Sequence, residues 1–119
     1  CSLVGSEMCI RDSSNAIRAA LVTWAKSLAT DVAQYQITVN SILTGYFDTE
    51  RIKELNATKA QNLGISVEEV RNSMEQQVPM KRIGDPKEYA FLVAFLASEQ
   101  ASYITGTQIP IDGGLLKSL

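Results

Sequence analysis

An α/β fold with a parallel sheet is what the pattern of this chain predicts, and three observations carry the prediction. Residues 14–33 show an apolar rhythm of three- and four-residue steps, a β-branched run at 37–43 follows it directly, and a second short strand-like run at 108–111 comes only after two or three helical segments. A strand that returns to a second strand through helices forms a crossover, which places the two strands parallel in one sheet. Two strands do not make a stable sheet, so their apolar faces and open edge call for further strands.

The first helix is expected to start at Ser14, with Ile17, Leu21, Trp24, Leu28 and Val32 on one face. A second face carries Ala16, Ala19, Ala20, Thr23 and Ser27, small enough to admit a partner helix closely or simply favourable for helix propensity. Ile37 to Leu43 reads as a strand ending at Thr44-Gly45. A helix is expected from Asp48 to about Leu63, stopped by Gly64. Ser66 and Glu69 have the spacing of a capping box and open a short helix to about Gln76. Asp85, Pro86 and Glu88 repeat the device, with proline in the first turn, where a missing amide hydrogen costs nothing. In the helix that follows, Tyr89, Leu92, Val93 and Leu96 form one stripe while Phe91 and Phe95 point elsewhere, so more than one side should be covered. Gln108 to Ile111 is a short strand closed by the turn Asp112-Gly113-Gly114, and Pro110, which cannot donate to a ladder, suits a sheet edge.

At 119 residues, 45% hydrophobic and 20% charged, the chain has the size of one domain or part of one. The longest apolar stretch, residues 89–97, falls far short of the ~20 residues of a membrane-spanning helix. A soluble, cytoplasmic protein is the expectation. Residues 3–12 resemble the in-frame translation of a transposase adapter used in sequencing libraries, so residues 1–13 are read as non-native and 14–119 as one piece of a domain. A secretion signal is the alternative, but Glu7, Arg11 and Asp12 interrupt the apolar core it needs. Both cysteines, Cys1 and Cys9, lie in that segment, and the chain has no histidine. A disulfide framework, a zinc site and a histidine-based triad are thereby excluded. Without Glu7, Arg11 and Asp12 there remain 10 basic and 11 acidic residues, which recommends neither nucleic acid nor an anionic membrane as partner.

Several separately spaced motifs agree in order: Ala19-Ala20-Leu21 through Ala29, Ile37-Thr38-Val39-Asn40-Ser41, Gly45 with Thr49, residues 82–88, residues 95–98, Ile104-Thr105-Gly106, and Asp112-Gly113-Gly114. Together they resemble the second half of a classical short-chain dehydrogenase/reductase, most closely 3-oxoacyl-carrier-protein reductases. The resemblance implies a Rossmann-type, doubly wound parallel sheet of which this chain holds the last two strands and their covering helices. It also implies NAD or NADP in the complete parent, a small carbonyl or alcohol substrate, and a homodimer or homotetramer. The glycine-rich pyrophosphate loop and the residue that chooses between NAD and NADP would belong to the half not present, so this chain alone is expected neither to bind the cofactor tightly nor to turn over.

The family carries Tyr-x-x-x-Lys on the helix that holds Ser14. Counting back from Val39-Asn40 puts Arg18 at the lysine position and Ser14 at the tyrosine position, a departure shared by some members that read Ser-Asn-x-x-Arg. Arg18 brings a fixed charge and a fork of donors for ribose hydroxyls, but a guanidinium does not give up its proton and so cannot relay one. Ser14 lacks the acidity of a phenol, whose pKa is about 10, and could instead cap the helix. The proton then comes from another residue or a water, or the parent is a non-catalytic dinucleotide-binding protein on a reductase scaffold. The family pattern Pro-Gly-x-x-x-Thr reads here as Thr44-Gly45-Tyr46-Phe47-Asp48-Thr49. By carry-over, Gly45, the main chain of Phe47 and the side chain of Thr49 would meet the nicotinamide carboxamide. An ordinary strand-to-helix turn capped by Asp48 or Thr49 explains the same residues. Residues 51–77 occupy the place of the family's substrate lid.

Overall fold

A computed structural model describes the backbone of residues 6–117 and the side chains of residues 16–117. The order is α1 (Ser6–Val32), β1 (Ser41–Thr44), α2 (Glu50–Leu63), α3 (Val67–Gln77), α4 (Pro86–Leu96) and β2 (Gln108–Ile111), with single 3-10 turns at Ala33–Tyr35 and Glu99–Ala101. The predicted crossover is present. β1 and β2 are neighbours, and the amides of Ser41 and Gly45 donate to the carbonyls of Thr107 and Ile111, a constant offset that means parallel register. Because the Thr107 and Ile111 carbonyls face β1, the period of two turns the nitrogen of Pro110 to the opposite edge, where its missing hydrogen removes no bond to β1.

The structure divides into two units, one reaching to Ser41 and including Ala101–Gln108, the other comprising Ile42–Gln100 and the chain from Ile109 on. In the first unit, α1 begins at Ser6 rather than at Ser14. No glycine or proline interrupts residues 6–14, so nothing stops the helix from extending in that direction. Ser14 is therefore an interior helical residue, which rules out the capping role; its side chain lies outside the described residues.

The covered face of α1 also differs from the expected one. Ile17, Leu21 and Trp24 are 57–70% exposed and the small residues Ala16, Ala19 and Ala20 are exposed too, whereas Ala29 is buried and Val22, Leu28 and Val32 are partly covered. Tertiary contact, which periodicity cannot see, selects among adjacent stripes. Ala29 and Lys26 meet the backbone at Gly106, where φ is +67° and an added Cβ would sit 3.0 Å from Lys26 Nζ. Lys26 Nζ also donates to the Gly106 carbonyl at 2.9 Å.

β1 starts four residues later than its β-branched run suggests, because Val39 and Asn40 are engaged by side-chain bonds. The Val39 amide donates to Thr105 Oγ1 at 3.0 Å. Asn40 Nδ2 donates to the Ile104 carbonyl at 2.9 Å, while its Oδ1 accepts from the Thr107 hydroxyl at 2.6 Å and the Thr107 amide at 3.2 Å.

In the second unit, Phe47, Ala60, Val70, Val78 and Ile83 are buried. Both capping boxes form as the sequence predicts, at Ser66/Glu69 and at Asp85/Glu88 with Pro86 in the first turn. α2 starts at Glu50 with Thr49 as its cap and ends on Gly64 at φ +66°. On α4, Tyr89, Leu92 and Leu96 are partly covered, while Phe91, Val93 and Phe95 are exposed. One face of this helix is thus covered, not several. Beyond β2, the Asp112 carboxylate accepts from the amides of Gly114 (2.9 Å) and Leu116 (2.7 Å), and Gly113 and Gly114 both take positive φ. The turn is built by its aspartate and requires its glycines.

Candidate functional site

In open parallel sheets, ligands bind beyond the carboxyl ends of the strands. At that end of β1 the chain runs through Gly45, Tyr46, Phe47, Asp48 and Thr49 before α2 begins. Gly45 is there for a close approach: a Cβ on it would lie 2.5 Å from Asp112 Cα and 2.6 Å from Asp112 Cβ. The near neighbour is the end of β2, so among the described residues the glycine serves strand packing first.

The next residues pair in parallel with Ile83–Gly84. The Gly84 amide donates to the Tyr46 carbonyl and the Asp48 amide to the Gly84 carbonyl, each at 2.9 Å, bracketing a bridge between Phe47 and Gly84. Gly84 cannot carry a side chain without meeting the Phe47 ring, since its Cβ would fall 2.7 Å from Cε1. Phe47 packs edge-on to Tyr89, with centroids 5.4 Å apart. This fixes Phe47 by its side chain while its own peptide groups point away from Gly84. Its carbonyl accepts from the Thr49 amide at 2.8 Å, and its N–H donates to no group among the described residues. Thr49 Oγ1 accepts from the Ile52 amide at 3.4 Å, the capping role allowed for it above. That leaves the hydroxyl hydrogen as a donor. One turn therefore presents an N–H and an O–H two residues apart, a pair suited to a planar group with acceptor oxygen.

The structure brings Gly45, Phe47 and Thr49 together in this turn of the second unit. Arg18 stands exposed on α1 in the first unit. A cleft of about 190 Å³ adjoins the turn and is lined by Tyr46, Phe47, Met80, Arg82, Ile111 and Asp112 among others.

Two charged contacts frame the turn. Arg82 grips Glu88 with both terminal nitrogens, at 2.7 and 2.8 Å, and Glu88 also accepts from the Asp85 amide at 2.8 Å. Arg82 first and the Asp85 amide second hold the Glu88 carboxyl down at about 2. The folded-state value lies below the ordinary 4.5, so this contact stabilises the fold fully above about pH 4.5 and is lost as pH falls toward 2. Glu88→Gln is expected to flatten the acid side of the stability profile in that window, followed by denaturant midpoints at stepped pH; an unchanged slope would assign the acid sensitivity elsewhere. The second contact joins Arg71 to Asp48 and Glu75, and Asp48 first and Glu75 second hold the guanidinium still more firmly protonated than usual.

Residue-by-residue reading missed Asn40, Lys26 and Arg71. Asn40 was visible as a member of a motif, but its bonding partners lie 64 and 67 residues away. Nothing local marks Lys26 or Arg71 among the other surface cations.

A family model described as enoyl-(acyl carrier protein) reductase matches residues 2–116. An NADPH-dependent reductase of Bacillus subtilis, BacG, is 38% identical over 107 residues, covering 90% of this chain and 41% of that protein. The 3-oxoacyl-[acyl-carrier-protein] reductase FabG of Vibrio cholerae is 39% identical over 84% of this chain and 36% of its own length. The chain belongs to the short-chain dehydrogenase/reductase family. Among solved structures, a short-chain dehydrogenase family protein of Francisella tularensis is similar with a TM-score of 0.79 at 43% identity, over 82% of this chain and 40% of that one. The L-sorbose reductase of Gluconobacter frateurii, solved with NADPH and L-sorbose, gives 0.82 at 34% identity, over 88% and 40%. The parallel pair with its helices is consistent with part of the family's Rossmann-type domain. This short-chain dehydrogenase/reductase chain spans about two fifths of the length of the relatives it matches. Among the described residues, no helix is long and apolar enough to cross a membrane.

Proposed function

We propose that this chain is the carboxyl-terminal half of an NAD(P)-dependent oxidoreductase that moves hydride to or from a carbonyl or alcohol carbon, in the manner of 3-oxoacyl reductases. One observation carries this reading. Beyond the end of β1, Phe47 is locked by Gly84 and Tyr89 so that its N–H points away from Gly84 and meets no acceptor among the described residues, two positions before the Thr49 hydroxyl. These donors fit the carboxamide of a nicotinamide, with Gly45 setting the turn against β2. NADP is the favoured cofactor, since BacG is named as NADPH-dependent and the sorbose reductase was solved with NADPH.

When bound, the nicotinamide supplies or accepts the hydride. Phe47 and Thr49 would hold it at the carboxamide, and family carry-over gives Arg18 the part of a cationic fork for ribose hydroxyls. A guanidinium is no proton relay and a serine hydroxyl is too weak an acid to replace a phenol, so the substrate proton comes from a residue of the other half or from water. The same departure favours a second reading, a dinucleotide-binding scaffold without turnover. We further propose that residues 1–13 are adapter-derived, that residues 14–119 alone are inactive for want of the pyrophosphate loop, and that the complete protein is a soluble cytoplasmic dimer or tetramer.

Two measurements test this. NADPH fluorescence titration of the 119-residue chain is expected to show no saturable binding in the micromolar range; micromolar affinity would refute the truncation account. The uninterrupted protein, assayed with NADPH, 3-oxoacyl thioesters and small ketones, is expected to turn over. Cofactor binding without turnover across the panel would establish the scaffold reading instead.

A further inference from the structure

Besides the helix cap at Thr49, a side-chain contact from α3 ties the lid segment to the carboxamide turn. All three guanidinium nitrogens of Arg71, on α3, are engaged: two with Asp48 Oδ2 at 3.3 and 3.4 Å, and Nε with Glu75 Oε1 at 3.1 Å. Asp48 stands between Phe47 and Thr49, and its amide is pinned to the Gly84 carbonyl. Its other oxygen, Oδ1, is buried with no partner among the described residues. A half-satisfied carboxylate is a poor arrangement for stability alone, because a buried acceptor without a donor is costly and an exposed ion pair returns at most about 1 kcal/mol. Its geometry instead joins two elements 23 residues apart.

We infer that Arg71 and Asp48 form a latch that seats the α2–α3 hairpin on the Phe47–Thr49 turn and sets that turn's geometry. The inference rests on the functional reading above for what the turn holds. Both residues are positioning residues, acting through the main chain of Phe47 and the side chain of Thr49. Opening the latch frees the hairpin to move as one piece relative to the turn, because the buried Ala60 and Val70 keep α2 and α3 together. The lid and the carboxamide contacts are thereby coupled: displacement of one shifts the other.

Hydrogen exchange on the ligand-free chain tests the latch without any cofactor. Asp48→Asn and Arg71→Gln are each expected to speed exchange at the Asp48 and Thr49 amides and across α3 by about fivefold, the size of a surface ion pair, with α4 unchanged. Because Arg71→Gln already removes the Asp48 contact along with the Glu75 one, the double variant is expected to exchange no faster than Arg71→Gln alone. Unchanged exchange, additive effects, or acceleration spreading equally into α4 would overturn the latch. In the uninterrupted protein the single variants are expected to raise KM for NADPH about fivefold with kcat within twofold. Failure of that protein to bind NADPH at all would overturn the functional reading, and the exchange result would still decide the latch.

Discussion

Gly45→Ala is expected to unpair the ends of the two strands. The new methyl carbon would stand 2.5 Å from Asp112 Cα, closer than real Cβ atoms come to any heavy atom, and the obstacle is backbone rather than a movable side-chain tip. Two effects compete. Gly45 does not have a positive φ, so alanine gains about 0.4–1 kcal/mol by restricting the unfolded chain. Overpacking against an unyielding neighbour costs about 3 kcal/mol, at the upper end of what inserted methylenes do. The clash wins by roughly 2 kcal/mol, a shift of about thirtyfold toward the open state. Loss of protection at the Gly45 amide, which donates to Ile111 in the intact pair, is the direct readout. A variant with unchanged protection would show that β2 can retreat, and that the glycine is present for a ligand alone.

Asn40→Ala is expected to release the loop that follows the Glu99–Ala101 turn. The side chain makes three bonds at once, to the Ile104 carbonyl and to the amide and hydroxyl of Thr107, in a partly buried setting. Each is worth about 1 kcal/mol net, desolvation of the orphaned Ile104 carbonyl and Thr107 amide adds to this, and the loss is at least about 3 kcal/mol. Asn40→Asp sharpens the test. It keeps an acceptor for Thr107 but turns a carboxylate oxygen toward the Ile104 carbonyl, so it should lose nearly as much as alanine at neutral pH. Exchange at the Thr107 amide and the denaturant midpoint report both. A well-tolerated aspartate would mean that only the acceptor matters and that the Ile104 bond contributes little.

These two residues also mark what a linear reading can and cannot extract. Asn40 and Gly45 are both motif members, and family carry-over sets Gly45 against a ligand; the close neighbour the structure adds is Asp112, 67 positions further along the chain. Thr49 shows the opposite outcome: capping and ligand contact stood as alternatives, and the geometry allows both, because a hydroxyl accepts and donates at once.

What the amino-acid order determined by itself is whatever local rules control: both capping boxes, the stop at Gly64, the Asp-Gly-Gly turn, the proline on the outer side of β2, and the parallel crossover. Those features depend on contacts within about four residues or on the forced geometry of a short path between strands. What tertiary structure alone decided is which stripe of α1 is covered, why β1 starts late, and which of several surface cations bridges two elements. Leu21, Trp24, Lys26 and Arg71 have no local signature separating a covered or paired position from a solvated one. Lys26 and Arg71 owe their cross-element contacts to Gly106 and Asp48, 80 and 23 residues distant, and such pairings exist only once the chain has folded.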